Sequence, residues 1–249
     1  MESVLFDVGM DINCDLGEGI GNDHMIMPYL GSCNIACGGH TGNVDSMRHA
    51  VKLAKEHGVK IGAHPSFFDR ENFGRKEIEV PRELLKSQLI AQISSLKEIA
   101  TSFGVNLHHV KPHGALYNLA AKSVEMAELI IDVMENLDDN IFLYVPFNSV
   151  IESVAKKRGV SSFVEAFADR NYNDDFTLVS RTEPYAAIDD PKDIKLRVDE
   201  MIKQHAITSI NGIKKKADIQ TICLHGDHPN AVQIAKLLYI LKTKSIEFI

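Results

Sequence analysis

No run of about 18 uninterrupted apolar residues occurs in the 249-residue chain, so nothing in it reads as a membrane-spanning helix. The first residues, MESVLFDVGMD, place acids inside a short apolar stretch and lack a basic lead, which argues against a secretory signal and for a cytoplasmic protein. Positive charge is also in deficit. With 27 Lys and Arg against 34 Asp and Glu the net charge is -7, a poor footprint for nucleic acid or an anionic membrane surface. The basic run Lys214 to Lys216 reads as a solvated loop. Cysteine is scarce, and Cys14, Cys33, Cys37 and Cys223 show no paired CxxC spacing. Each lies in an apolar, strand-like run, and all four read as small buried hydrophobes rather than redox or structural zinc residues. Neither a GxxxxGK[ST] loop nor a GxSxG elbow is present, which removes support for a P-loop nucleotide site and for a serine hydrolase. No Pro/Gly/Ser-rich linker, low-complexity tract or abrupt charge shift divides the chain, so residues 1–249 are read as one domain.

What the chain does contain is one unit, strand then turn then helix, repeated along its length. The clearest copy is HVKPHGALY, residues 109–117. Its apolar lead-in predicts a strand ending near Lys111, Pro112 and Gly114 mark the turn, and a helix follows to about Asn136. Other strands are predicted over 10–15, 33–37, 60–64, 141–145, 163–168 and 221–225, with helices over about 44–57, 81–103, 146–158, 191–204 and 230–242. In the first strand, period-2 alternation puts Asp11, Asn13 and Asp15 on one face and Ile12, Cys14 and Leu16 on the other. Gly17, Gly19 and Gly21 then form a tight turn around Glu18. Without a long helix directly after it, this turn is a poor dinucleotide signature. The connector after His64 and Pro65, with Phe67, Phe68, Asp69, Phe73, Gly74 and Arg75, has the composition of a lid or an interface.

Seven such units imply an α/β fold in which parallel strands close, or nearly close, into a (β/α)7 barrel. An open doubly wound sheet is the alternative. The barrel is preferred because six of the seven strand ends carry ionisable side chains, whereas an open sheet gathers its site at one switch point. His64, His113 and His225 occupy equivalent places at the ends of their strands, with His40 and Asp15 at two others and Asp169 with Arg170 at a sixth. Helix caps or loop carboxylates are the competing readings of Asp15 and Asp169, behind a functional one, and Asp227 could equally cap the last helix. Converging histidines, carboxylates and Lys111 suit attack of water on a carbonyl: a base takes the water proton, Lys111 stabilises an oxyanion, and a histidine protonates the leaving nitrogen. Asp15, His40 and His64 could instead hold a divalent ion that activates water, and a metal-free site is the competing reading.

The strings DINCDLGEGIG, SCNIACGGHTGN, IGAHPSF with FGR, HVKPHGALYN, EAFADRNY with LVSR, and CLHGDHP run in order from residue 11 to 229. Together they resemble the LamB/YcsF family, the A subunit of ATP-dependent 5-oxoprolinase. That resemblance implies a (β/α)7 barrel of the glycoside hydrolase/deacetylase type. It also implies opening of the lactam of 5-oxo-L-proline to L-glutamate coupled to ATP hydrolysis, with magnesium, alongside partner B and C subunits. Matched positions assign catalysis to Asp15, Lys111, His113, Asp169 and His225, and substrate binding to Asn13, Glu18, Arg75, Glu165, Arg170, Arg181 and Asp227. The chain departs from the family at Gly39 and at Ser66 and Phe67, changes expected to alter loop packing or a pocket wall. Lys111→Ala is expected to cut turnover without unfolding the subunit. Two other classes stay open: a stand-alone metal-dependent deacetylase or amidohydrolase, and a non-catalytic substrate-binding subunit.

Overall fold

The computed structural model describes residues 10–137 and 140–246. Seven strands form a closed barrel, every pair parallel: β1 (Asp11–Leu16), β2 (Ser32–Ala36), β3 (Lys60–His64), β4 (Leu107–Val110), β5 (Phe142–Pro146), β6 (Ser162–Phe167) and β9 (Thr221–His225). Strand β9 closes the ring by pairing with both β1 and β6. Helices α2 (Val44–His57), α3 (Arg82–Ser102), α4 (Gly114–Lys122), α5 (Val124–Met134), α6 (Val150–Arg158), α7 (Pro191–Gln204) and α8 (Ala231–Ile246) cover its outside. This is the single (β/α)7 barrel anticipated from the strand-end pattern.

Local chemistry sets the helix limits. In α2, Asn43 accepts from Ser46 N while the Ser46 hydroxyl accepts from Asn43 N, a reciprocal cap, and Gly58 ends the helix in the left-handed region. Met47, Ala50, Val51 and Ala54, spaced at one face, bury that face against the barrel. Asp190 caps α7 ahead of Pro191, and Ser149 caps α6.

Two features differ from the sequence expectation. The helix predicted to run to about Asn136 is two helices, because Ser123 adopts an extended ψ of 122° and its hydroxyl caps α5 by accepting from Met126 N. Lys214–Lys216 is strand β8, not a loop, and pairs antiparallel with β7 (Ala206–Thr208); its three lysines are solvated as anticipated. The first crossover, as expected, has no long helix: it carries only the four-residue α1 (Asp23–Ile26) and a 3-10 turn, Met27–Tyr29.

The inside of the barrel is polar. Asp11, Ser32, Tyr144 and Thr221 hydrogen-bond one another near the amino ends of the strands. Above them Asn13, Asn34, His109 and Glu165 form a second layer. His109 lies across β3, where a Cβ on Gly62 would collide with its Nε2; only glycine fits there. Burial holds His109 well below its ordinary pKa, so it contributes a neutral ring stacked on Tyr144 at 3.8 Å. A polar barrel interior is tolerated because its groups find partners.

Candidate active site

At the carboxyl ends of the strands the barrel opens into a cavity of about 380 Å³. Asp15, His64, Lys111, His113, Arg170, Arg181 and His225 all form part of its wall. This is the end at which barrel enzymes place their chemistry, because the loops and helix starts there surround a common point.

The floor is an ion cluster. Lys111 Nζ lies 3.0 Å from Asp15 Oδ1, 3.0 Å from Glu165 Oε1 and 3.0 Å from Cys223 Sγ. Asp15 Oδ1 also accepts from Asn34, and Glu165 Oε2 accepts from Tyr117 OH at 2.6 Å. Although burial raises the Asp15 carboxyl, His64 and then Lys111 bring it well below the usual carboxylate range. Burial likewise opposes the Lys111 charge, and Asp15 with Cys223 and Glu165 more than restores it. One buried cation thus stands between two buried anions.

Beside the floor is a cage of four groups. Glu18, His40, His64 and His113 each offer one ligand atom, and these atoms lie within 4.8 Å of one another, so the set can hold a divalent ion. His40 Nε2 is 3.0 Å from Glu18 Oε1, and His113 Nδ1 is 2.9 Å from His64 Nε2. The rings of His40 and His113 stack at 3.6 Å. Phe73 caps both rings edge-on, and Gly74 (φ 64°) follows it so closely that a Cβ there would meet His40 Cβ at 2.8 Å. Burial, then the neighbouring His64, pushes His40 down to about 2 and holds His113 well below its ordinary value. Burial, with Asp15 and Asp227 behind it, pushes the Glu18 carboxyl well above the usual range. These three groups resist charge on their own, and a bound cation is what would stabilise the Glu18 carboxylate.

On β9, next to Asp15 of β1, His225 forms a dyad with Asp169. Its Nδ1 lies 3.0 Å from both Asp169 oxygens, and its backbone N–H donates to Asp169 Oδ2 at 3.1 Å. Burial raises the Asp169 carboxyl, but the His225 charge and these hydrogen bonds bring it down to about 2, so it is ionised. A carboxylate holding Nδ1–H leaves the other ring nitrogen free for proton transfer.

Arginines line the rim. Asp227 Oδ2 pairs with Arg75 Nη2 at 2.5 Å and lies 3.5 Å from Arg181 Nη1. Arg170 is buried and donates to the Val179 and Ala186 carbonyls, which fixes its plane. Burial, then Arg181, lowers its pKa to about 10, still cationic at neutral pH.

The sequence-derived residues therefore separate. Asp15, Lys111, His113, His225, Arg75, Arg170 and Arg181 reach the cavity. Asn13 and Glu165 are fully buried beneath it, bonded to each other at 2.9 Å, and serve the floor rather than its surface. Asp15, expected with His40 and His64 as a ligand, stands next to the cage: Oδ2 is 3.4 Å from His64 Nε2, while Oδ1 is taken by Asn34 and Lys111. Glu18 and His113 complete the cage in its stead. Neither Asp15 nor Asp169 caps a helix, and Asp227 pairs with arginine. Cys223, read as a small hydrophobe, touches the Lys111 ammonium. Ser66, read as part of a loop or pocket wall, lies 3.0 Å from His40 Nδ1. Sequence reading missed Tyr117; its signal was its place one helical turn after His113, on the same face.

A parallel (β/α)7 barrel with a histidine and carboxylate cage and a separate Asp–His dyad at its mouth defines the class. The chain belongs to the LamB/YcsF family, whose model matches residues 10–248. Among solved structures it resembles a lactam utilization protein from Thermus thermophilus. The identity is 34%, over 95% of this chain and 97% of that one, with a TM-score of 0.89. It also shares its fold with a putative cellobiose-phosphate cleavage protein from Enterococcus faecalis, at 12% identity over 95% of this chain and 93% of that one, with a TM-score of 0.59.

Proposed function

We propose that this chain is the lactam-opening A subunit of an ATP-dependent 5-oxoprolinase, converting 5-oxo-L-proline to L-glutamate together with B and C subunits. Family membership and the likeness to a lactam utilization protein support a small cyclic amide as substrate. The observation that carries the assignment is the pairing, within one cavity of about 380 Å³, of rim arginines with an oriented His225.

An unstrained lactam is a poor electrophile. Transfer of the γ-phosphoryl group of magnesium-bound ATP to the lactam oxygen, with ADP leaving, activates the ring carbon. Water then adds to that carbon and the C–N bond breaks. His225 Nε2 takes a proton from the attacking water and passes it to the leaving nitrogen, and a second water releases phosphate from the resulting acyl phosphate. In this scheme the partner subunits perform or assist the phosphoryl transfer. Arg181, with Arg75 released from Asp227, holds the substrate carboxylate by paired N–H donors. Asp169 keeps His225 in the tautomer that presents Nε2 to the substrate, and Lys111 maintains Asp15 as a carboxylate at the cavity floor.

The test is glutamate release from 5-oxo-L-proline with ATP and magnesium, by this chain alone and with its B and C partners. Release only from the full mixture is expected. Release by this chain alone from a simple amide, without ATP, would instead favour a stand-alone amidohydrolase.

A further inference from the structure

We infer that Glu18, His40, His64 and His113 hold a resident divalent transition-metal ion, of the zinc type rather than magnesium. The inference goes beyond the lactam assignment and does not depend on the substrate.

Hydrogen-bond direction carries it. His64 Nδ1 faces the Lys111 carbonyl at 2.7 Å, and His113 Nε2 faces the Phe73 carbonyl at 2.9 Å. Carbonyl oxygens only accept, so each of these nitrogens carries its ring's hydrogen. His40 Nδ1 faces Ser66 Oγ at 3.0 Å, and that hydroxyl donates its own hydrogen to the Phe67 carbonyl. His40 Nδ1 therefore donates as well. Each neutral ring then turns a lone pair inward: His40 Nε2 toward Glu18 Oε1, and His64 Nε2 toward His113 Nδ1. His64 Nε2 and His113 Nδ1 are then two acceptors facing each other at 2.9 Å, which repel unless something positive lies between them, whereas without a cation the Glu18 carboxyl proton closes the 3.0 Å contact to His40.

The outer contacts are what metal-bound histidines require, since a fixed acceptor on the far nitrogen selects the tautomer and aims the ring. Ser66 is itself clamped by Gln92 of α3, whose amide accepts from Ser66 N and donates to Ser66 O. A tetrahedral ion with bonds of about 2.1 Å separates its ligand atoms by about 3.4 Å. Three of the cage separations, 2.9, 3.0 and 3.6 Å, bracket that value, and all lie within 4.8 Å. Three imidazoles and one carboxylate suit zinc, cobalt, iron or manganese, whereas magnesium prefers oxygen. The magnesium that travels with ATP is thus a separate ion. One proton on His64 beside Asp15 is the competing way to close the His64–His113 contact.

Titrating the chelator-stripped full chain with zinc, by calorimetry and elemental analysis, distinguishes the two. Uptake of one ion per chain is expected, with an X-ray absorption spectrum showing imidazole ligation. Ser66→Ala removes only the outer partner of His40 and should weaken binding by about 10–100-fold. Glu18→Gln, close to isosteric, should weaken it further, while His49→Ala on the surface should leave it unchanged. A folded chain that takes up no ion overturns the inference, as does uptake that survives both Ser66→Ala and Glu18→Gln. Uptake is read without substrate, so an inactive but metal-loaded protein would count against the lactam assignment alone.

Discussion

Lys111 Nζ stands 3.0 Å from Glu165 Oε1 inside the barrel, with both side chains buried, and Asp15 Oδ1 takes the ammonium at the same distance. Removing one partner of such a cluster leaves uncompensated buried charge. Lys111→Ala should therefore destabilise the chain by about 3–5 kcal/mol in urea unfolding. This revises the expectation, formed on sequence alone, that the substitution would spare the fold. Glu165→Gln in the same chain should recover part of the loss. A change within about 0.5 kcal/mol, the size of an ordinary surface substitution, would contradict the cluster.

Asp169 gives the acid limb of stability. Its folded pKa of about 2 lies below the ordinary value of 3.8, so its contribution is full above about pH 4 and is lost as pH falls toward 2. The depression corresponds to roughly 2 kcal/mol. Denaturant unfolding of wild type and Asp169→Asn across this window should converge at the acid end; a constant gap would contradict the ionised dyad.

Gly62→Ala tests the packed floor. The added methyl would collide with the His109 ring, and both strand and ring are held by their neighbours. A loss of about 1–3 kcal/mol, the usual range for overpacking, is expected in thermal or urea unfolding. Unchanged stability would mean that His109 can leave its stack on Tyr144.

How far the sequence revealed this molecule depends on which interactions were local. Strand ends and helix starts follow from period, Gly, Pro and cap residues, so the barrel and the convergence of His64, His113 and His225 were readable from their equivalent places. The break at Ser123 could have been read from its capping hydroxyl but was masked by continuous apolar spacing. The division of labour among ionisable groups was hidden. Lys111 reaches Asp15 and Glu165 from strands that are distant in sequence, and Glu18 enters the cage only because its tight turn folds toward β2 and β3. Ser66 looked like a loop residue because nothing in the sequence showed that it would meet His40 and Gln92.

Arg181 is the rim cation whose role is most exposed to test. Arg181→Lys keeps the charge but loses the paired donors, so KM for 5-oxo-L-proline should rise by about 10–100-fold with a smaller change in kcat. Steady-state kinetics of the assembled enzyme would show this, and an unchanged KM would move the carboxylate site elsewhere on the rim.

The central claim is that bond breaking takes place in this barrel and not in a partner subunit. Its most direct measurement is glutamate formation by the assembled complex carrying either wild-type chain or Asp169→Asn, with assembly checked by size. Loss of about 10²–10⁴-fold in turnover is predicted, because the asparagine no longer holds His225 with Nδ1–H inward and Nε2 free to take and return a proton. Glutamate formation at the wild-type rate in an intact Asp169→Asn complex would contradict it and leave this chain as a binding subunit.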